Sequence, residues 1–588
     1  MCGICGELRF DGTPADVAAV SRMTSAMEPR GPDGVGTWSQ GPVAFGHRRL
    51  KIIDLSDRAS QPMTDADLGL TGVFNGCIYN YKDLRAELLD AGYRFFSTSD
   101  TEVLLKAYHR WGRDCVKRFK GMFAFAITER DSGLLVLGRD RLGIKPLYIT
   151  RDARRMRFAS TLPALLAGGE VDTGLDLVAL HHYMTFHSVV PAPLTILAGV
   201  RKLPPATVRT VRPDGSFDDH LYWRPEHTRH LSVPDWSDAV LSALRTAVDR
   251  RMVADVPVGV LLSGGLDSSF IVALLAEAGQ QGLATFSIGF HGAGGESGDE
   301  FEYSDLIAQH FGTDHHKIEI DDSRLLPALA GAIGAMSEPM VSHDCVAFYL
   351  LSQEVSRRMK VVQSGQGADE VFAGYDWYPP LAEVPRGGVT AAYASVFFDR
   401  PHDALAETLN PDYLIESDAS TAFVDEHFGR PGADTALDAA LRLDTSVMLV
   451  DDPVKRVDNM TMAWGLEART PFLDHELVEL AAACPPELKL AASGKGVLKQ
   501  AARGLVPDAV IDRPKGYFPV PAIRHLSGPY LDLVRDALFS QAATDRALYR
   551  PEHVDKLIAA PSDHRTTLGA SALWQLALLE LWLQDHGL

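Results

Sequence analysis

Cys2 stands in Met1-Cys2-Gly3-Ile4-Cys5-Gly6, and removal of Met1 would leave its thiol beside a free α-amino group. An α-amine titrates near pH 8 and a thiol at about 8.5, so the amine can take the thiol proton directly or through one water. One residue would then carry nucleophile and base; the alternative is an ordinary small hydrophobe in a first strand. A second chemistry lies in Ser263-Gly264-Gly265-Leu266-Asp267-Ser268-Ser269, which follows the apolar run Val258–Leu262. Glycines let the backbone curl, and N–H groups at a helix start hold an anion. The loop lacks the Gly-Lys-Ser/Thr ending of a Walker loop, so its ligand is the pyrophosphate part of ATP and not a γ-phosphoryl group in transfer. Asp267 suits Mg²⁺, which takes carboxylate and phosphate oxygens. A ligand-free strand-helix turn is the other reading of the same residues.

The elements that must hold these residues follow from pattern. Residues 1–205 alternate short strands with two amphipathic helices, predicted over 81–91 and from Asp100, as N-cap, to about 111. Prolines and Pro213-Asp214-Gly215 make 206–235 irregular, so the boundary is placed there, with residues 236–588 as the second domain. That domain opens with a helix near 236–252, a strand over 256–262, a helix over 267–278 and a strand over 284–289, the rhythm of a parallel sheet covered by helices. After about residue 380, helical patterns dominate.

At 588 residues the chain exceeds one ordinary core, so two large domains are expected. Cysteines at only six positions, 2, 5, 77, 115, 345 and 484, do not make a disulfide scaffold and fit a reducing compartment. No apolar run is long enough to span a bilayer and no secretory pattern opens the chain, so a cytoplasmic protein is expected. The net charge of -20 argues against nucleic-acid or anionic-membrane binding.

The Ser263–Ser269 loop resembles that of the PP-loop ATP pyrophosphatases. Joined to an N-terminal Cys domain it is similar to the glutamine-hydrolysing asparagine synthetases, and the resemblance covers nearly the whole chain. Its other marks include Arg30-Gly31-Pro32-Asp33, His47-Arg48-Arg49-Leu50, Asn75-Gly76-Cys77, Ser99-Asp100-Thr101-Glu102, Gly365-Gln366-Gly367-Ala368-Asp369-Glu370 and Glu467-Ala468-Arg469-Thr470-Pro471-Phe472-Leu473-Asp474.

The resemblance implies an α/β two-domain protein: an αββα N-terminal-nucleophile sandwich, then a doubly wound parallel-sheet PP-loop domain with a helical C-terminal part. It implies that Cys2 attacks the glutamine amide and releases ammonia. Arg49 would grip the glutamine carboxylate and Asp100 its ammonium, with Cys77 beside them, while Asn75 and the Gly76 N–H form an oxyanion hole. For ATP it implies Leu261 and Ile288 around the adenine, with Ser263, Gly264, Gly265, Ser268, Ser269, Ser364 and Gly365 along the nucleotide. Asp267 and Asp369 would hold Mg²⁺, and Lys515 would steady charge on the phosphates and reacting carbonyl. The implied reaction adenylates a carboxylate, which ammonia from a channel then attacks. A homodimer is compatible with this reading.

Two departures bear on the acceptor. Cys77 replaces a family Glu near the glutamine ammonium, and Gln366 replaces a family Glu at the synthetase centre with a neutral amide that cannot act as general base. With His187-Ser188-Val189-Val190-Pro191, these are similar to the N-acetylglutaminylglutamine amidotransferases, which amidate the C-terminal carboxylate of an acetylated dipeptide and so make a compatible solute for osmoprotection. The rivals are an asparagine synthetase acting on aspartate, and a glutaminase with a regulatory nucleotide-binding domain. Cys2-x-x-Cys5, His315-His316, His343-Asp344-Cys345 and His181-His182 contain ligand-type residues, but each reads as ordinary strand, core or helix positions because none supplies convergent ligands alone.

Overall fold

The computed structural model describes residues 2–290, 300–514, 516, 523 and 525–588. Twelve N-terminal strands precede the first strand of the parallel sheet: β1 Gly3–Arg9, β2 Gly34–Gln40, β3 Val43–Arg49, β4 Met63–Asp65, β5 Leu70–Ile78, β6 Gly121–Glu129, β7 Leu135–Arg139, β8 Tyr148–Arg151, β9 Arg155–Ala159, β10 Val200–Lys202, β11 Thr207–Val211 and β12 Phe217–Leu221. They form two antiparallel six-stranded sheets, ordered β10-β8-β9-β1-β3-β2 and β12-β11-β7-β6-β5-β4.

The inner faces meet in one apolar layer, with Ile4, Leu8 and Phe45 from one sheet against Val73, Ala124 and Leu137 from the other. Helices cover both outer faces. Val17–Ala26 buries Val20 and Met23 beside Cys5, and Asp100–Trp111 buries Val103 and Leu104 with Phe74 and Phe123. This is the expected αββα sandwich. Because β1 lies between a sheet and a helix, both of its faces are buried, and Glu7 on the helix side is neutralised by Arg157 at 2.6 Å.

Three local readings change. Residues 1–205 hold five α-helices among the described residues where two were expected, the others being Val17–Ala26, Leu162–Gly168 and Leu177–Thr185. Asp100 is not the N-cap of its helix; Ser99 caps it by accepting from the Glu102 N–H, which releases the Asp100 carboxylate for other contacts. The stretch read as irregular holds the hairpin β11–β12, which extends the second sheet around Pro213-Asp214-Gly215. Turn residues in a short hairpin gave that segment the composition of a loop.

The second domain contains β13 Val258–Leu261, β14 Ala284–Phe290, β15 Asp314–Ile320, β16 Val361–Gln363 and β17 Glu467–Arg469. All pair in parallel, in the order β15-β14-β13-β16-β17. The chain winds outward from β13 on one side and then returns to its other side, so the switch in strand order falls between β13 and β16. Ligands of open parallel sheets bind beyond the carboxyl ends of the strands at such a switch. The helices Trp236–Arg250 and Leu266–Glu277 pack beside β13. Beyond residue 380, β17 is the only strand among the described residues. No described helix is long and apolar enough to cross a membrane.

Candidate functional site

The two chemistries foreseen in the sequence occupy separate cavities. In the first, β1 begins at the sandwich edge, which puts Cys2 beside the ends of β3 and β5. The Cys2 backbone nitrogen donates to Asn75 Oδ1 at 3.0 Å, and the Asn75 Nδ2 group is buried with no hydrogen-bond partner among the described residues. A buried amide with an unused donor is suited to an oxygen that gains charge. Next to it, Gly76 is required by close approach: a Cβ there would lie 2.2 Å from the Met122 carbonyl oxygen on β6. Burial pushes the Cys2 thiol up, while a Leu50 backbone hydrogen bond and the Arg49 charge pull it back. Met1 lies outside the described residues.

Cys2, Arg49, Gly76, Cys77 and Asp100 line this cavity together. Arg49 donates to the backbone carbonyls of Asp54 and, at 2.8 Å, Ser56, which fixes its guanidinium at the cavity edge. The Asp100 carboxylate accepts from the Ile78 N–H at 3.1 Å, and burial raises it to about 7.

Two further wall residues, Glu467 and Arg469, come from the other domain. Arg469 is fully buried. Its Nε meets Glu467 Oε1 at 2.6 Å, its Nη1 donates to the carbonyls of Arg251 and Val253, and its Nη2 faces Cys77 Sγ at 3.9 Å. Burial alone would raise Glu467, but positive charges, Arg469 and Lys145 among them, hold it at about 2, so the carboxylate is ionised at neutral pH and paired with Arg469. Sequence reasoning quoted Glu467 and Arg469 only as parts of a motif. Glu467 and Arg469 alternate around Ala468, but the burial that makes the two charges need each other shows only in the structure.

The second cavity, of about 570 Å³, opens at the switch point. Leu261, Ser263, Gly265, Asp267, Ser268, Ile288, Ser364, Gly365, Gln366 and Asp369 line it. The loop is held internally: the Ser263 and Ser268 hydroxyls are 3.1 Å apart, and the Gly265 N–H donates to Ser263 Oγ at 3.3 Å. Gly365 lets the two loops touch, since a Cβ there would lie 2.9 Å from Asp267 Cβ. Gly264 and Ser269 do not line the cavity. Gly264 supplies a turn at φ +76°, and Ser269 is fully buried in the helix behind the loop. Lys515 lies outside the described residues.

Lys495, which the sequence reading missed, reaches both Asp267 Oδ2 at 2.7 Å and Asp369 Oδ1 at 2.9 Å. Against burial, these two carboxylates raise its pKa and keep it charged. Its flanking residues, Gly494-Lys495-Gly496, were the sequence sign. Glu370 is buried behind Asp369, is raised to about 7 by burial and by that neighbour, and accepts from the Tyr375 hydroxyl at 2.6 Å.

A buried ion cluster joins the domains beside Cys2. Arg30 Nη1 meets Asp458 Oδ2 at 2.8 Å and Lys145 Nζ meets Asp458 Oδ1 at 3.2 Å, while Arg30 Nε donates to the Cys2 carbonyl at 3.4 Å. Burial opposes ionisation of Asp458, and the two cations overcome it.

Comparison with known proteins matches two families to the chain. Residues 1–223 match the glutamine amidotransferase domain and residues 239–584 match asparagine synthase. The chain is 33% identical over 540 residues to asparagine synthetase [glutamine-hydrolyzing] 3 of Bacillus subtilis, covering 88% of this chain and 87% of that protein. Identity to asparagine synthetase [glutamine-hydrolyzing] 1 of the same organism is 30% over 627 residues, covering 99% and 96%. The amidase chry2 of Gibberella zeae is 26% identical over 599 residues, covering 88% of each chain. With both matches falling on the two folds that carry the cavities, the chain belongs to the asparagine synthase family, as a glutamine-dependent, amide-forming ligase.

Proposed function

We propose that Cys2 hydrolyses glutamine and that the ammonia amidates a carboxylate adenylated in the 570 Å³ cavity, with release of AMP and pyrophosphate. The supporting observation is that one strand, β17, serves both cavities: its side chains wall the Cys2 pocket, while the Arg469 carbonyl accepts from the Ser364 N–H at 2.8 Å in the nucleotide loop.

In this reading the thiol adds to the glutamine amide carbon, and Asn75 Nδ2 with the Gly76 N–H receives the oxyanion. Each such donor is typically worth roughly 3 kcal/mol of barrier. Arg49 takes the substrate carboxylate, and Asp100 and Glu467 face its ammonium. Collapse of the adduct breaks the C–N bond and expels ammonia, water cleaves the remaining thioester to glutamate and frees the thiol, and the ammonia crosses the interface beside Arg30 and Asp458. The acceptor carboxylate attacks the α-phosphorus of ATP and expels pyrophosphate, and ammonia displaces AMP from the acyl adenylate. Leu261, Ile288 and Ser364 face the nucleotide, and Lys515 is retained from the sequence as the lysine that steadies charge. Asp267 and Asp369 fit Mg²⁺, since two carboxylates already converge on one cationic group, the Lys495 ammonium. Bound there, the metal would neutralise phosphate charge.

For the acceptor we propose the C-terminal carboxylate of N-acetylglutaminylglutamine, with the enzyme acting in the cytoplasm. Gln366 on the cavity wall supports a change of acceptor, because it offers a neutral amide. Aspartate is the second reading, favoured by the two relatives named as asparagine synthetases. Each acceptor is offered with ATP and glutamine while AMP and pyrophosphate are followed. Dipeptide-dependent release supports the first reading and asparagine formation overturns it. Cys2→Ala is expected to lose glutamine-driven turnover and keep ammonium-driven turnover; loss of both counts against two coupled sites. Glutamine hydrolysis without acceptor-dependent pyrophosphate from any carboxylate tested would instead leave a glutaminase with a regulatory nucleotide domain.

A further inference from the structure

Away from both cavities, His181, His402 and Asp418 form the only group of His, Cys, Asp or Glu side chains with metal-ligand spacing among the described residues, with ligand atoms within 4.8 Å of one another. His181 lies on the helix Leu177–Thr185 of the first domain, His402 in the turn His402–Ala404, and Asp418 caps the helix Ala419–Gly429. His181 Nε2 is 2.9 Å from His402 Nδ1 and 3.8 Å from Asp418 Oδ1. Ligands of a tetrahedral Zn²⁺ at about 2.0–2.1 Å stand about 3.3 Å apart, and these separations straddle that value.

We propose that His181 Nε2, His402 Nδ1 and Asp418 Oδ1 bind one Zn²⁺, with water as fourth ligand, and that the ion fastens the glutaminase domain to the helical part of the synthetase domain.

The surroundings suit a cation in one tautomer of His181. Ser420 Oγ is 3.0 Å from the Nδ1 atoms of both His181 and His182. Its hydroxyl has one proton, so at least one of these imidazoles donates its Nδ1–H to Ser420. With His181 as donor, its Nε2 lone pair points at His402, and the Ser420 oxygen orients the ring as an outer partner orients a metal-bound histidine. Two neutral imidazoles can share a proton without help, whereas the carboxylate of Asp418 supplies the charge a dication needs. The His181 side chain is 2% exposed and that of Asp418 33%, which gives a fixed inner ligand and an outer one reachable by ion and water.

The test uses the full chain, stripped with a chelator and titrated with Zn²⁺ by calorimetry and with Co²⁺ by visible absorption. One equivalent is expected to bind with the strong absorption of tetrahedral Co²⁺ and to raise the melting temperature. His402→Ala, in a surface turn, should abolish that equivalent. Asp418→Asn, which keeps a competent helix cap, should weaken it at least about tenfold, and Ser420→Ala about tenfold through loss of the outer partner. Absence of stoichiometric binding to the wild type, or binding unchanged in both His402→Ala and Asp418→Asn, overturns the proposal and leaves a hydrogen-bonded histidine cluster.

Discussion

Arg469 Nη2 lies 3.9 Å from Cys77 Sγ, although 392 residues and a domain boundary separate them. A neutral thiol there leaves Arg469 to pair with Glu467 on its own strand. The carboxylate of the pocket wall is thus supplied across the interface together with the guanidinium that balances it, from a strand whose backbone belongs to the synthetase sheet.

Replacing Glu467 with Gln removes that charge while preserving shape. A charge-assisted hydrogen bond contributes about 1.5–3 kcal/mol, so KM for glutamine should rise roughly 10- to 100-fold. Turnover with ammonium in place of glutamine should change little. Equal loss with both nitrogen donors, measured by pyrophosphate release, would place Glu467 outside glutamine recognition.

Asp100 makes glutamine use depend on pH. Its folded carboxyl titrates at about 7, above the ordinary carboxylate range. The ammonium of glutamine needs it ionised, so kcat/KM for glutamine should rise through neutrality and be about tenfold lower at pH 6 than at pH 8. The linkage to folding has the opposite sense: the stability from the neutral carboxyl is present below about pH 4 and lost as pH rises through about 7. Glu467, held at about 2, contributes above about pH 4.5 and loses that contribution as pH falls toward 2. A flat kcat/KM profile between pH 6 and 8 would remove Asp100 from ammonium binding.

Lys495→Ala leaves Asp267 and Asp369 without their shared ammonium. Acceptor-dependent pyrophosphate release should fall by about 100-fold or more, the scale of losing a charge-stabilising group. Glutamine hydrolysis at Cys2 should persist. Unchanged pyrophosphate release would mean that the ammonium only fills space between the carboxylates.

Asp458→Asn strands Arg30 and Lys145 in the interface. Removing one partner of a buried ion pair typically costs about 3–5 kcal/mol, so the urea midpoint should drop clearly. A midpoint equal to that of the wild type would show that the two cations find other partners.

The sequence revealed those parts of the sites that depend on local chemistry. Cys2, the Ser263–Ser269 loop and the helix that starts beside Asp100 could be read because type and neighbours suffice. Long-range packing hid the remainder. Glu467 and Arg469 sit in a three-residue strand whose meaning comes from pairing with β16 and from a cavity built by residues 2–101. Lys495 acquires its role from carboxylates 126 and 228 positions away along the chain, Asp369 and Asp267. Ser99 and Asp100 are both plausible caps, and only the Ile78 N–H, which holds the Asp100 carboxylate, separates their functions.

The pairing of β16 with β17 has a consequence for modularity. The sandwich has an apolar layer of its own between its two sheets, but its pocket is not a complete site: an excised N-terminal half would retain Cys2 and expose the face that Glu467 and Arg469 cover. Transplanting this half onto another synthetase therefore means transplanting the recipient's equivalent of β17 as well. The unit that carries the glutamine site is larger than the sandwich.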